Sequence, residues 1–462
     1  MGPFAARFGR SERGPSCAEE VSLERRPITF GTDGVRGVAN TGLMPEDALR
    51  LGLAAARLFG GPIVVGRDTR LSGGMLSCAL AAGVASGGAE AIDLGILPTP
   101  GVAALAPRLG ATAAGVVSAS HNPFPDNGIK FFSGAGRKLP AEEEREIERL
   151  TGEEDPGRPT GSGVGAVEAL GDAAQLYAES ILGRLRPRVD GAKVLLDCAN
   201  GAAYEVAPMV FGELGADVST VGDSPTGTNI NEGCGSTHVK DLDASGYDVA
   251  FAFDGDADRV LAVDERGNVV DGDRIIAILA RDLKERGALE GGVVVTVMSN
   301  LGFFKAMNSL DIPYEVTPVG DRYVAEAMRK TGASVGGEQS GHVILSDYVT
   351  TGDGLVTALA LLDVMSRSGK PLSELAGVME VYPQELINVA VADAASAKRV
   401  AASEEVERAV SMAEERLGDE GRILLRPSGT EPVVRVMVEH AGEKVCREVC
   451  EEVARVVAEV ES

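Results

Sequence analysis

Residues 115–132 read GVVSASHNPFPDNGIKFF: an apolar run, a polar loop and a second apolar run. Ala113 to Val117 is small and β-branched, as in a buried strand, and it delivers Ser118, Ala119, Ser120, His121 and Asn122 at its carboxyl end. Open α/β sheets place their chemistry outside that end. A serine hydroxyl needs a base or a cation to become a nucleophile, and His121 is adjacent while Lys130 lies one loop away. A plain polar turn, closed by Asn122-Pro123 and Asp126-Asn127-Gly128, accounts for the loop taken alone just as well. The rest of the chain decides between the two.

That run is the end of a unit which recurs. The first unit begins at Ile63-Val64-Val65, passes Gly66-Arg67-Asp68-Thr69-Arg70 and an Ala-rich helix, reaches a strand at Ala91 to Leu94 and returns to the strand before Ser120. A second begins at Val194-Leu195-Leu196, has its next strand at Val218 to Val221 and its last at Val249 to Phe253. A third begins at Val293 to Val297, continues near Tyr314 to Val316 and ends near Ser334-Val335. Each is strand, helix, strand, helix, strand, which predicts three similar α/β domains with mostly parallel sheets. The loops after the three last strands, at Ser120, from Asp254 and from Glu338, are then equivalent, and domains that face one another bring them into one cleft. Beyond Tyr382 the pattern becomes that of a smaller α+β domain, and Thr151 to Asp172, rich in Gly, Pro, Glu and Ser, reads as a linker. The boundaries expected are a mobile tail at 1–26, α/β domains at 27–168, 169–272 and 273–383, and an α+β domain at 384–462.

Bulk properties bound the function. A chain of 462 residues is too long for one core, and 44% hydrophobic content with interspersed charge describes a soluble globular protein. The net charge of -25 argues against nucleic acid and anionic membrane as partners, so an anionic substrate must meet a local basic pocket. Six scattered cysteines without a CxxC pair suit reduced thiols and a cytoplasmic setting. The first 26 residues are charged and lack an apolar core, which excludes a signal peptide.

Asp254-Gly255-Asp256-Ala257-Asp258-Arg259 crowds three carboxylates at a strand end, and oxygen ligands alone favour Mg²⁺ or Ca²⁺. An EF-hand fails because Arg259 stands where a glycine is required and strands flank the loop. A solvated acidic turn is the alternative, at the cost of unrelieved repulsion. Arg426-Pro427-Ser428-Gly429-Thr430 offers a guanidinium, hydroxyls and amides to a phosphate, and Arg435 on the next strand can add a second fork. Glu338-Gln339-Ser340-Gly341-His342 alternates acceptors and donors suited to sugar hydroxyls, and Gly337 to Ser340 is one residue too long for a nucleophile elbow. Two of the four histidines, His121 and His342, lie in these loops, where a structural role competes with a chemical one. Arg36, in FGTDGVRG, and the arginines of GRDTR sit on glycine-bounded loops.

In this order, FGTDGVRG, GRDTR, SASHNPFPDNGIKFF, DGDADR, GEQSGH and RPSGTEP resemble the α-D-phosphohexomutase superfamily along nearly the whole chain after the tail. The wording of three of them is most similar to the branch acting on glucosamine phosphate. The resemblance implies four domains around a central cleft, a phosphoserine at Ser120, one Mg²⁺ on Ser120, Asp254, Asp256 and Asp258, sugar binding by Glu338 and Ser340, and a phosphate clamp of Arg426, Ser428, Gly429 and Thr430 with Arg435. It implies sugar phosphates as the small-molecule partners, a hexose or hexosamine 1,6-bisphosphate as activator, and a homodimer as the assembly to test. Arg259 would steady the phosphoryl oxygens, Arg36 and His121 would be catalytic residues beside it, and Lys130 or His342 would be acid and base. Ala257 departs from the glycine usual in this branch and stiffens the metal loop. Mannose or glucose phosphate would need the same catalytic parts, and chiefly Gln339 speaks against them. A Mg²⁺ phosphatase would need water at the phosphoserine, which a closed cleft excludes.

Overall fold

The computed structural model describes residues 27–154, 157–428 and 432–461, so the tail expected at 1–26 lies outside the described residues. The first sheet holds β1 (Val35–Val38), β2 (Ile63–Arg67), β3 (Ala91–Ile96), β4 (Ala113–Val117), β5 (Asp126–Ser133) and β6 (Val167–Ala169), in the order β1-β5-β4-β2-β3-β6. The second holds β7 (Lys193–Asp197), β8 (Asp217–Val221), β9 (Val249–Phe253), β10 (Val260–Asp264) and β11 (Val269–Val270), ordered β11-β10-β9-β7-β8. β12 (Val293–Thr296), β13 (Tyr314–Thr317), β14 (Val335–Gly337) and β15 (Val343–Leu345) form the third, ordered β13-β12-β14-β15. The last sheet is an antiparallel β16-β18-β17 layer of β16 (Gln384–Ala390), β17 (Gly421–Pro427) and β18 (Val433–His440).

The three α/β sheets repeat one rule. The first strand of each unit, β2, β7 or β12, lies between the other two and pairs with both in parallel. An antiparallel strand then follows the functional loop and pairs back on the third strand: β5 on β4, β10 on β9 and β15 on β14. Each loop is therefore a strand-to-strand connection held from both sides, and the sheets are mixed. One expectation changes. Val167 to Ala169, placed in a linker by its composition, pairs in parallel with β3 as an edge strand, and all three residues are exposed, which is why no apolar alternation announces it.

Packing unites the three α/β domains. Val64 and Phe132 from the first sheet, Leu196 and Phe251 from the second, and Val295 and Val335 from the third belong to one continuous core. The apolar helix Gly354–Ser368 joins it, started by Asp353, whose side chain accepts the Val356 N–H. The other face of the first sheet packs against the crossing helices Pro45–Phe59 and Gly73–Ser86, where a Cβ at Gly52 would lie 2.1 Å from the Leu80 carbonyl oxygen. The fourth domain has its own core around Val436, Val449 and Val453. Among the described residues no helix is long and apolar enough to cross a membrane.

Candidate active site

Ser120 follows β4 in a left-handed backbone conformation, φ 51°, and is buried. Such a conformation is costly for a residue with a side chain and persists only where neighbours over-determine it. They do so here. Arg70, fully buried, donates from one terminal nitrogen to the carbonyls of Ser120 and Asn122 (both 2.8 Å) and from the other to those of Pro123 (2.6 Å) and Asp126 (3.1 Å). Its Nε is held by Asp68 at 2.8 Å, and Asp68 also accepts from Ser118 Oγ. Asn231 of the second domain donates to the same Ser120 and Asn122 carbonyls. The effect is to turn Ser120 Oγ toward Asp254 Oδ2, 2.5 Å away, with His121 Nδ1 at 3.4 Å.

The acidic loop joins β9 to β10. Asp254, Asp256 and Asp258 each bring a carboxylate oxygen within 4.8 Å of the others, and all three are buried. Asp256 Oδ1 and Asp258 Oδ1 have no hydrogen-bond partner. Burial, then the charges of Asp258 and Asp256, push Asp254 well above the usual carboxylate range. Converging carboxylate oxygens with unused lone pairs and unrelieved repulsion fit a hard divalent cation, so the residues present suit Mg²⁺. Thr99 of the first domain anchors the loop, its Oγ1 on Asp256 Oδ2 (2.5 Å) and its N–H on the Asp256 carbonyl (2.9 Å). Ala257 has φ 55° and is buried, so the stiffening inferred from sequence has a backbone cause: a left-handed position that glycine occupies at less cost.

Lys130, on β5, donates to Asp256 Oδ2 at 2.6 Å and lies 3.7 Å from Asp258 Oδ2. Burial would lower its pKa, but the two carboxylates outweigh burial and raise it, so Lys130 keeps its proton. His121 is shifted the other way, lowered by burial and then by Arg259 and Arg36, so its imidazole is neutral. His342 follows β14 in the loop to β15. Its Nδ1 lies 3.7 Å from Asp258 Oδ2, and its Nε2 accepts the Gly352 N–H at 3.2 Å. Both ring nitrogens therefore face protein groups. A Cβ at Gly352 would stand 2.4 Å from the ring.

Ser120, Lys130, Arg36, Arg259, His342 and Glu338 all line one cavity between the first three domains. Arg36 Nε and Arg259 Nε are buried there without acceptors. Glu338 uses Oε1 to accept the Gly320 N–H (3.0 Å). Not every expected residue joins them. Ser340 is exposed and does not line the cavity. Gln339 turns to Asp271, 3.5 Å away, instead of toward a sugar, so the discrimination assigned to it loses its support. Arg426 and Arg435 face each other across β17 and β18, outside this cavity, with Ser428 directly after β17. Burial and then the Arg435 charge disfavour the charge on Arg426, and Glu338 partly offsets them, which a bound dianion would relieve. Gly429 and Thr430 lie outside the described residues.

Sequence reading gave Arg70 no specific role and missed Asn231 and Thr99. Each acts through partners 50 to 157 positions away, and GRDTR carries no local sign of where its last arginine points. Lys138 and Asp321, an ion pair at 2.6 Å lining the same cavity, were missed as well.

Comparison with known proteins agrees with this geometry. Phosphoglucomutase/phosphomannomutase families match in series: alpha/beta/alpha domain I at residues 27–158, domain II at 175–267, domain III at 271–382, and the C-terminal domain at 386–456. The chain is 73% identical to a phosphoglucosamine mutase of Rubrobacter xylanophilus over 94% of this chain and 98% of that one. It is 53% identical to a phosphoglucosamine mutase of Carboxydothermus hydrogenoformans, over 91% and 97%. A crystal structure of a phosphoglucomutase/phosphomannomutase family protein from Burkholderia thailandensis superposes with a TM-score of 0.77 at 26% identity, covering 94% of this chain and 97% of that one. A serine turned onto three buried carboxylates, and full-length similarity at this level, lead to one conclusion: the chain belongs to the phosphoglucosamine mutase family of the α-D-phosphohexomutases.

Proposed function

We propose that this enzyme interconverts glucosamine 6-phosphate and glucosamine 1-phosphate, with phosphorylated Ser120 as the phosphoryl carrier. The observation that carries this is Ser120 Oγ, held 2.5 Å from Asp254 in a cavity whose other walls supply Lys130, Arg259 and Glu338. In the forward direction phospho-Ser120 gives its phosphoryl group to the free sugar hydroxyl, leaving a 1,6-bisphosphate. After the sugar turns over, its other phosphoryl group passes to Ser120 Oγ, so each P–O bond broken is matched by one formed. The bisphosphate also serves as activator by rephosphorylating an enzyme that has lost its phosphate.

Asp254, Asp256, Asp258 and Ser120 would hold one Mg²⁺, which neutralises phosphoryl charge when bound. The chain's own groups do the rest. Arg36 Nε and Arg259 Nε are buried without a hydrogen-bond acceptor and so can turn to phosphoryl oxygens. Lys130, protonated and lining the cavity, is placed to donate to a leaving oxygen. Neutral His121, 3.4 Å from Ser120 Oγ, is placed to take a proton from it. With both nitrogens engaged, His342 orients Asp258 instead of exchanging protons with substrate. The clamp from Arg426 to Thr430 holds the phosphate that is not reacting.

Sugar preference rests on Glu338. With Oε1 on Gly320, its second oxygen is available to ring hydroxyls and to the ammonium of glucosamine, a contact worth about 1 to 3 kcal/mol when desolvated. In a competition assay, glucosamine phosphate is expected to exceed glucose and mannose phosphates in kcat/KM, with Glu338→Gln narrowing the gap. Mannose phosphate winning outright would assign the chain to the neighbouring substrate class and leave the phosphoserine chemistry intact.

A further inference from the structure

A second cavity, open to solvent, lies between the first and third domains, and we propose that it binds an organic pyrophosphate, with a nucleoside diphosphate as the representative ligand. Its walls carry Arg137, Lys138, Arg145, Arg322 and Arg329 against the carboxylates of Glu142 and Glu326. In a chain of net charge -25, that balance runs against the whole molecule.

Existing ion pairs account for only part of it. Lys138 is held by Asp321 at 2.6 Å, Arg322 by Glu144, and Glu326 by Lys330 at 2.9 Å. Among the described residues the exposed Arg137, Arg145 and Arg329 make no ion pair and no side-chain hydrogen bond; Arg329 acts on Glu326 at longer range, and Glu142, also exposed, is the other carboxylate of the wall, so the lining with its ion-pair partners keeps a surplus of two positive charges. Arg322 adds a buried Nε without an acceptor. Guanidinium forks facing a common space suit paired phosphate oxygens. The helix Ala141–Gly152, which carries Arg145 and follows Arg137 and Lys138, and the helix Asp321–Thr331, which carries Arg322 and Arg329, are tied by the Arg322–Glu144 pair, so the site spans a fixed domain junction.

The remaining lining argues for a body attached to the anion. Leu139, Met328, Ala333 and Ile344 are buried apolar residues on the cavity wall, and the space exceeds what inorganic phosphate fills. The site also touches the chemistry. Lys138 lines both cavities, and its ammonium bonds Asp321 and approaches Asp33 (3.6 Å), two carboxylates of the catalytic cavity. An anion beside Lys138 competes with those carboxylates for it, so occupancy shifts KM for sugar phosphate.

Calorimetric titration of the full chain with adenosine and uridine diphosphates, in the presence and absence of saturating glucosamine 6-phosphate, tests this. The expected result is one nucleotide bound per chain with sugar phosphate present, inorganic phosphate binding about tenfold more weakly or worse. Arg137→Ala with Arg329→Ala should weaken the nucleotide about tenfold or more, as loss of two charge-assisted contacts requires. Mutase activity of that variant without nucleotide checks that it is folded. Displacement of the nucleotide by sugar phosphate, unchanged affinity in the double variant, or no binding of either nucleotide overturns the proposal. Inorganic phosphate binding as tightly as the nucleotides overturns the pyrophosphate assignment.

Discussion

The first three domains and the fourth are joined to their neighbours by different physics. Sheets one to three share a continuous apolar core, and the Ser120 loop is clamped both by Arg70 from its own domain and by Asn231 from the next. The fourth domain keeps a separate core and meets the third through Glu439 and Arg422, paired with each other at 2.6 Å inside it: Glu439 accepts from Asn300 and the Leu301 N–H of the third domain, while Arg422 donates to the Val297 and Ser299 carbonyls and lies over the Phe304 ring. Close packing resists displacement, whereas one hydrogen-bonded junction leaves a domain free to reorient as a unit. The division matches the proposed labour. Phosphoryl transfer tolerates little misplacement, and the clamp must follow a sugar that reverses its ends.

Breaking the rigid side should cost most. Arg70→Lys leaves a charge but not a fork able to gather four carbonyls, so Ser120 should lose its orientation. A kcat loss of about 100-fold with little change in KM is expected, since an error near 1 Å in a reacting group costs that much. Steady-state kinetics that show KM alone rising would remove Arg70 from the positioning role. Arg422→Ala should do the reverse. It leaves Glu439 buried without its cation and loosens the fourth domain, so KM should rise about tenfold with kcat less affected. Equal losses in the two parameters would show that the fourth domain is as rigidly coupled as the first three.

The smallest effect concerns pH. Asp273, wholly buried at the start of the helix Gly272–Glu285, accepts the Asn300 N–H at 2.7 Å and has its pKa pushed up to about 8 by burial and then by Asp271. Its folded value lies above the unfolded one of 3.8, so folding favours the protonated acid. That contribution is complete below the unfolded value and is lost as pH rises toward about 8. Thermal unfolding should therefore show the wild type losing more Tm than Asp273→Asn between pH 6 and 8.5. Parallel pH dependence would mean that Asp273 is ionised throughout.

The sheets were legible because buried strands are short apolar runs with abrupt polar ends, and three such series in one order fix the repeat. The loops that carry carboxylates, arginines and the serine were legible for the same reason: charge at the end of an apolar strand needs an explanation. What stayed hidden depends on tertiary direction. Gln339 looks outward in sequence and is captured by Asp271, 68 positions earlier. His342 reads as an acid or base until Gly352 is seen to occupy its second nitrogen. Arg70 carries no mark that distinguishes a substrate-binding guanidinium from one that builds a loop.

The identity of the phosphoryl carrier decides the account most directly. Intact-mass measurement and site mapping on the purified protein, followed by turnover of wild type and Ser120→Ala, address it together. One phosphate on Ser120 is predicted in the wild type, with no phosphate and no mutase turnover in a variant that still folds, because the hydroxyl lies on a loop outside the core. Phosphate on Ser118, or turnover retained at the wild-type rate in Ser120→Ala, would contradict it.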